Sequence, residues 1–126
     1  MRKGGNVSPT EARHTFPRAE RLRSSAAFQE VIQQGRWVST PTVIVYHLPH
    51  EERRVGVAAV RRLPHRPAKN RVRRRLRELY RLHKSWFPPG WYVLIGRERA
   101  KDCPWDDLVR DLRTALQRLF PPSSSD

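Results

Sequence analysis

One run of residues limits what this chain can fold into more than any other. From Val72 to His83, apolar residues recur at 72, 76, 79, 80 and 83. That is the spacing of a single helix face. Arg73, Arg74, Arg75, Arg77 and Arg81 take most of the remaining positions, and Arg71 precedes them. The segment is too charged to be buried all round and too regular to be a disordered basic tail. It predicts a helix over 67–84, docked on a core by one side and offering arginines to a polyanion by the other.

The charge is concentrated in that region. The 126 residues carry a net charge of +14, and thirteen Lys/Arg against one acid, Glu78, stand between Arg53 and Lys84. The excess is therefore a patch, which calls for nucleic acid or an anionic surface. Like charges four apart on a helix repel by roughly a few tenths of a kcal/mol each, so stability alone does not account for the row. A membrane-surface helix would bury its apolar face in lipid, and this face is needed for the protein's own core. With 37% hydrophobic residues, one small core and one domain are expected.

Other chemistries find little support. Cys103 is the only cysteine, so no internal disulfide is possible. No apolar run approaches the ~18 residues of a membrane span, the N-terminus lacks the apolar core of a signal peptide, and a cytoplasmic location without membrane partners is expected. There is no glycine-rich phosphate loop and no HExxH. His47 and His50 are the only histidines near ligand spacing, and further ligands are missing. Glu51-Glu52, Asp106-Asp107 and Asp111 read as turn and helix-surface residues, not as an acid–base pair or metal cluster. No catalytic and no metal-binding residues are expected, and the chemistry falls to a partner.

Taken in order, residues 1–17 read as a basic leader, either an arm that follows a nucleic-acid backbone or a solvated tail. Ser24 or Ser25 caps a helix to about Gln34, with Ala27, Phe28, Val31 and Ile32 on its apolar face. Trp37-Val38 is a short strand. Residues 42–48 and 54–60 are strands rich in β-branched residues, and their short connection predicts an antiparallel hairpin. Pro67 sits in the first turn of the basic helix. Residues 91–96 form a further strand. Asp102 or Cys103 opens a last helix, with Leu108, Val109, Leu112, Ala115, Leu116, Leu119 and Phe120 at helical spacing. The fold class is α+β, a small sheet with helices packed on it, in the order α-β-β-(β)-α-β-α. The domain spans 18–120 and a tail spans 121–126.

The candidate binding surface combines Arg53-Arg54, Arg61-Arg62 and the basic helix. Arginine's planar fork matches phosphate oxygens and stacks on bases. Lys69, Arg73 and Arg77 stack at i, i+4, i+8, and Arg71, Arg74, Arg75 and Arg81 are expected to flank the same solvent side. Asn70, near the helix N-terminus, donates to phosphate or bonds locally. Phe28 and Tyr46 are either core residues or the lining of a groove between the first helix and the sheet, where bases of single-stranded RNA stack.

The chain resembles the bacterial ribonuclease P protein subunit from about Arg21 to Phe120. The resemblance begins with Arg21-Leu22-Arg23, Phe28, Val31 and Gly35, continues through Arg54-Val55-Gly56 and Arg61-Arg62, and is densest at Lys69-Asn70-Arg71-Val72-Arg73-Arg74-Arg75-Leu76-Arg77-Glu78, similar to the family's R-N-R-x-K-R-x-x-R-E signature. Lys69 stands where arginine is usual, and Pro64-His65-Arg66-Pro67 replaces the usual connection. The resemblance implies a small α/β sandwich with a left-handed βαβ crossover around the basic helix. It implies a ribonucleoprotein endonuclease that matures the 5′ end of tRNA, with catalysis by the RNA and Mg²⁺ held mainly by that RNA. Its implied partners are ribonuclease P RNA and precursor tRNA, with no obligate protein partner. The implied RNA-binding residues are Arg61, Arg62, Lys69, Asn70, Arg71, Arg73, Arg74, Arg75 and Arg77. Phe28, Ile32 and Tyr46 fall in the groove for the 5′ leader. The alternative is a ribosomal-type RNA-binding module of the same fold, without a part in tRNA cleavage.

Overall fold

The structure is a computed structural model that describes residues 16–63 and 65–121. The leader to residue 15, the path at Pro64 and the tail from 122 lie outside the described residues.

A short 3₁₀ turn, Arg18–Glu20, leads into helix α1, Ser25–Gln34. Ser24 is its N-cap: the hydroxyl oxygen accepts from the Ala27 N–H at 3.1 Å, satisfying one of the helix's orphan donors. Strands β1, Arg36–Ser39, β2, Val43–Leu48, and β3, Arg54–Ala59, follow. The basic helix α2 runs Arg66–Leu82 with Pro67 in its first turn. After a 3₁₀ turn, Lys84–Trp86, comes strand β4, Trp91–Gly96, then a 3₁₀ turn at Glu98–Lys101 and helix α3, Trp105–Leu119. The last helix starts later than expected. Pro104 is its N-cap and residues 102–103 finish the preceding turn, while Asp106 and Asp107 occupy the first helical turn, where the dipole favours acids.

The expected hairpin does not form. The sheet order is β1-β2-β4-β3. Strand β4 lies between β2 and β3, antiparallel to β2 and parallel to β3. The connection over residues 49–53 therefore steps across two strand spacings, about 10 Å, within the reach of five extended residues. The sequence contained a sign of this: Trp91-Tyr92-Val93-Leu94-Ile95 is an unbroken apolar run, as suits a central strand covered on both faces.

Alternation along the strands gives the sheet two different faces. Val43, Val45, Val55, Tyr92 and Leu94 point one way and are closed off by Val72, Leu76, Leu79 and Tyr80 of α2 and by Leu108, Leu112 and Ala115 of α3. The packing is close enough that a Cβ on Gly96 would stand 2.1 Å from a Val72 methyl. The other face carries Ile44, Tyr46, Leu48, Trp91, Val93, Ile95 and Gly56, and among the described residues α1, through Val31, Ala27 and Phe28, and Leu22 just before it lie over it. Asp111 is not a surface residue. It is buried, and its Oδ2 accepts from the Thr42 N–H at 3.1 Å and the Thr42 hydroxyl at 2.7 Å, tying α3 to the start of β2. His47 and His50 do not converge. The first packs between Tyr92 and Phe120, and the second stacks on Trp91.

Candidate nucleic-acid interface

Burying Val72, Leu76, Leu79 and Tyr80 fixes the rotation of α2. Arg71, Arg74 and Arg77 are then exposed, and Lys69 and Arg73 half-exposed. Asn70 bonds locally: its Oδ1 accepts from Arg73 at 2.6 Å, leaving its amide N–H groups as donors. Arg71 lies 3.8 Å from Asp102, but both side chains are largely exposed, and such a pair contributes little. Glu78 accepts from Arg81 at 2.6 Å.

Arg75 departs from the expected arrangement. It does not flank the open side. Its guanidinium donates to the carbonyls of Ala100 at 2.7 Å and Cys103 at 2.8 Å and lies over the Trp105 ring. It thereby satisfies chain-end carbonyls between β4 and α3, and two of its donors are already engaged. The Cys103 thiol beside it is pushed up in pKa by burial, which the Arg75 charge partly opposes.

The cationic row is crowded. Burial first, then the charges of Arg21, Arg73 and Arg74, push the Arg77 pKa down. Arg21 is thus a member of this cluster although it lies fifty-six positions away in sequence. Nothing in local patterning points to it, because its position depends on how the N-terminal segment crosses β3.

Phe28, Ile32 and Tyr46 are all half-buried, and Phe28 and Tyr46 pack on the α1 side of the sheet. The Phe28 ring packs directly over Gly56, where a Cβ would stand 2.4 Å from it. Tyr46, Val93 and Gly56 form one cross-strand row that continues to Trp37 on the edge strand. Trp37 is 59% exposed, with its ring centroid 6.4 Å from that of Tyr46. Trp37, Tyr46 and Ile44 line a concavity of about 510 Å³ together with Arg61, Arg62, Arg97 and one acid, Glu98. Arg97 is held there by bonds to Ser39 Oγ at 2.9 Å and the Thr40 carbonyl at 3.3 Å. Exposed aromatic faces beside arginines are what a single strand needs: stacking surfaces for bases and cations for its backbone. Trp37 and Arg97 were absent from the sequence-derived set. The signal available for Trp37 was its register opposite Tyr46, which becomes visible only once β1 is paired.

Among the described residues no three His, Cys, Asp or Glu side chains stand together as a metal site, and no helix is long and apolar enough to cross a membrane.

The family model described as Ribonuclease P matches residues 16–120. The ribonuclease P protein component of Symbiobacterium thermophilum is 38% identical over 105 residues, covering 80% of this chain and 91% of that protein. That of Geotalea uraniireducens is 30% identical over 106 residues, covering 82% and 94%. In fold, the chain is similar to the solved RNase P protein of Staphylococcus aureus, with a TM-score of 0.70 at 24% identity over 82% of this chain and 97% of that one. The RNase P protein of Thermotoga maritima gives a TM-score of 0.67 at 24% identity over 79% and 96%.

Proposed function

The chain belongs to the ribonuclease P protein family, and from that premise we propose how its surfaces divide the work of a tRNA-processing ribonucleoprotein. As the protein component it associates with ribonuclease P RNA. The exposed row of α2, with Lys69, Asn70, Arg71, Arg73, Arg74 and Arg77, faces that RNA. The row screens phosphate repulsion where the RNA folds back on itself. Arg75 acts mainly inward, holding the entrance to α3 that keeps the row in place.

The open face of the sheet receives the single-stranded 5′ leader of precursor tRNA. Phe28, Tyr46 and Trp37 offer rings for stacking and Ile32 an apolar contact, and Arg61, Arg62 and Arg97 beside Trp37 and Tyr46 offer phosphate contacts. The observation that carries this reading is the Trp37–Tyr46 pair, left uncovered beside three arginines.

The hydrolysis itself is assigned to the RNA. Among the described residues no three His, Cys, Asp or Glu side chains stand together, and the Mg²⁺ of the reaction is assigned to RNA ligands. Such a metal ion supplies an activated water and charge stabilisation at the phosphate. The protein's part is to raise local positive charge and to fix the leader relative to the RNA. Reconstitution with a bacterial ribonuclease P RNA tests this. The protein should stimulate precursor tRNA cleavage most at low Mg²⁺. Absence of stimulation across a Mg²⁺ titration would overturn it.

A further inference from the structure

The N-terminal segment before α1 is held in a manner that its sequence does not announce. Glu20 is the only acid among residues 16–29. Its carboxylate accepts from the Tyr80 hydroxyl at 2.8 Å and from Lys84 Nζ at 3.0 Å, with Arg53 at 4.0 Å. Lys84 is 8% exposed, so this is not a loose surface pair. A buried ammonium needs a charged or strongly polar partner, and here Glu20 supplies it. Around this anchor, Phe16 packs on the Tyr80 ring, and the Leu22 N–H donates to the Val55 carbonyl at 3.0 Å.

The consequence falls on the next residue. With Glu20 turned inward, Arg21 points along the outside. Its Nε donates to the Phe16 carbonyl at 3.0 Å and its guanidinium lies 5.0 Å from the Phe16 ring centroid. Those bonds hold Arg21 on Phe16, which packs on Tyr80 of α2, and so bring its charge to the side of that helix. Placing another guanidinium there is unfavourable without an anion, and the segment would swing away from the row unless something held it. We infer that Glu20 is a positioning residue: clamped by Lys84 and Tyr80, it locks the segment Phe16–Arg21 against α2 so that Arg21 extends the RNA-binding row. This inference rests on the reading of α2 as the RNA-facing helix.

The effect has a sign that separates it from a plain charge effect. Removing an acid from a protein of net charge +14 would, through electrostatics alone, tighten binding to any polyanion. The clamp requires the opposite. Affinity for ribonuclease P RNA is measured against salt concentration for the wild type, Glu20→Ala, Arg21→Ala, the double variant and Arg71→Ala, with circular dichroism and thermal unfolding of each free protein. Arg21→Ala should lose about one unit of salt slope and bind roughly three- to tenfold more weakly. Glu20→Ala should fall in the same direction by a similar factor, and the double variant should be no worse than Arg21→Ala, since both act through one contact. If Glu20→Ala does not fold, Glu20→Gln, which keeps an acceptor for Tyr80, is read in its place and should also bind more weakly than wild type. Tighter binding by the Glu20 variant, an unchanged slope in Arg21→Ala, or fully additive losses would each overturn the clamp. Arg71→Ala tells the two failures apart. A lower slope there with no effect at Glu20 and Arg21 removes only this inference, and no change in any variant removes the reading of α2.

Discussion

The two faces of the one sheet are built from the same four strands and serve opposite ends. On the face covered by α2 and α3, Val43, Val45, Tyr92 and Leu94 are fully buried against Val72, Leu76, Leu108 and Leu112. On the face covered by α1, the buried apolar side chains among the described residues are Leu22, Val31 and Val93, and Phe28, Tyr46, Leu48, Trp91 and Ile95 remain half-exposed. Burial of apolar area is the main source of stability, so the first face carries most of the fold's free energy. The second retains apolar area that folding leaves uncovered, and that area is available to a ligand. A helix of ten residues over half a sheet is the physical origin of the difference.

That contrast is most open to challenge where it predicts the largest effect. Leu76 is fully buried in the closed face. Leu76→Ala should cost about 2–5 kcal/mol, the range for emptying a packed core site, read as a fall in the urea midpoint with unchanged m-value. Tyr46→Ala, on the open face, should cost far less. Equal costs would mean that the two faces are packed alike.

A matched pair of glycines tests the same contrast with less damage. Gly96→Ala drives a methyl into Val72, with Leu76 and Ala100 also crowding it at 3.3 and 3.5 Å. Overfilling such a site costs roughly 1–3 kcal/mol. Gly56→Ala drives its methyl into Phe28, whose ring is half-exposed and has somewhere to go. The unfolding free energy should therefore drop less for Gly56→Ala, while leader crosslinking at Phe28 drops more. The reverse ranking would move Phe28 back into the core.

The closed face also contains a titratable group. Burial lowers the His47 pKa from its usual 6.5; a hydrogen bond to the Pro89 backbone opposes this, and the charge of Arg36 adds to it. The fold thus holds His47 neutral, while the unfolded chain binds its proton near the ordinary value. Below about pH 6.5 the unfolded state binds more protons, so stability is complete above that pH and declines as pH falls through it. The thermal midpoint should drop between pH 7.5 and roughly 5.5, and His47→Phe, which keeps the ring between Tyr92 and Phe120, should flatten the drop. A wild-type slope that persists in His47→Phe would place the titration elsewhere.

How much of this was legible depends on whether the determinant is local. The basic helix was readable because its face pattern and its exposed charges are both set within a few turns. The strands were readable for the same reason. Their pairing was not, because the short link from β2 to β3 resembles a hairpin and only the all-apolar run of β4 argues for a central strand between them. Arg75 was misplaced because its partners, the carbonyls of Ala100 and Cys103, lie about twenty-five residues on. Asp111 was read as a surface residue and Glu20 was not singled out for a similar reason: their partners Thr42, Tyr80 and Lys84 lie sixty or more positions away. The groove was half legible. Phe28 and Tyr46 could be named, but Trp37 joins them only through strand register.

Trp37 gives the smallest expected effect on the fold and sharpens the contrast most. It is on the edge strand, 59% exposed, and its ring touches the rest of the protein mainly through Tyr46. Surface substitutions of this kind usually change stability by no more than about 0.5 kcal/mol. If Trp37 were merely a solvated edge residue, Trp37→Ala would be silent in every assay. If it is a stacking platform, the variant should unfold like the wild type yet bind precursor tRNA more weakly, by about 1–3 kcal/mol for one lost base stack. Mature tRNA, which lacks the leader, should be bound equally by both. The comparison of the two substrates removes any general loss of RNA affinity, because α2 and its arginines are untouched. A loss seen with both substrates would assign Trp37 to the RNA subunit's side instead, and no loss with either would leave the open face ending at Tyr46.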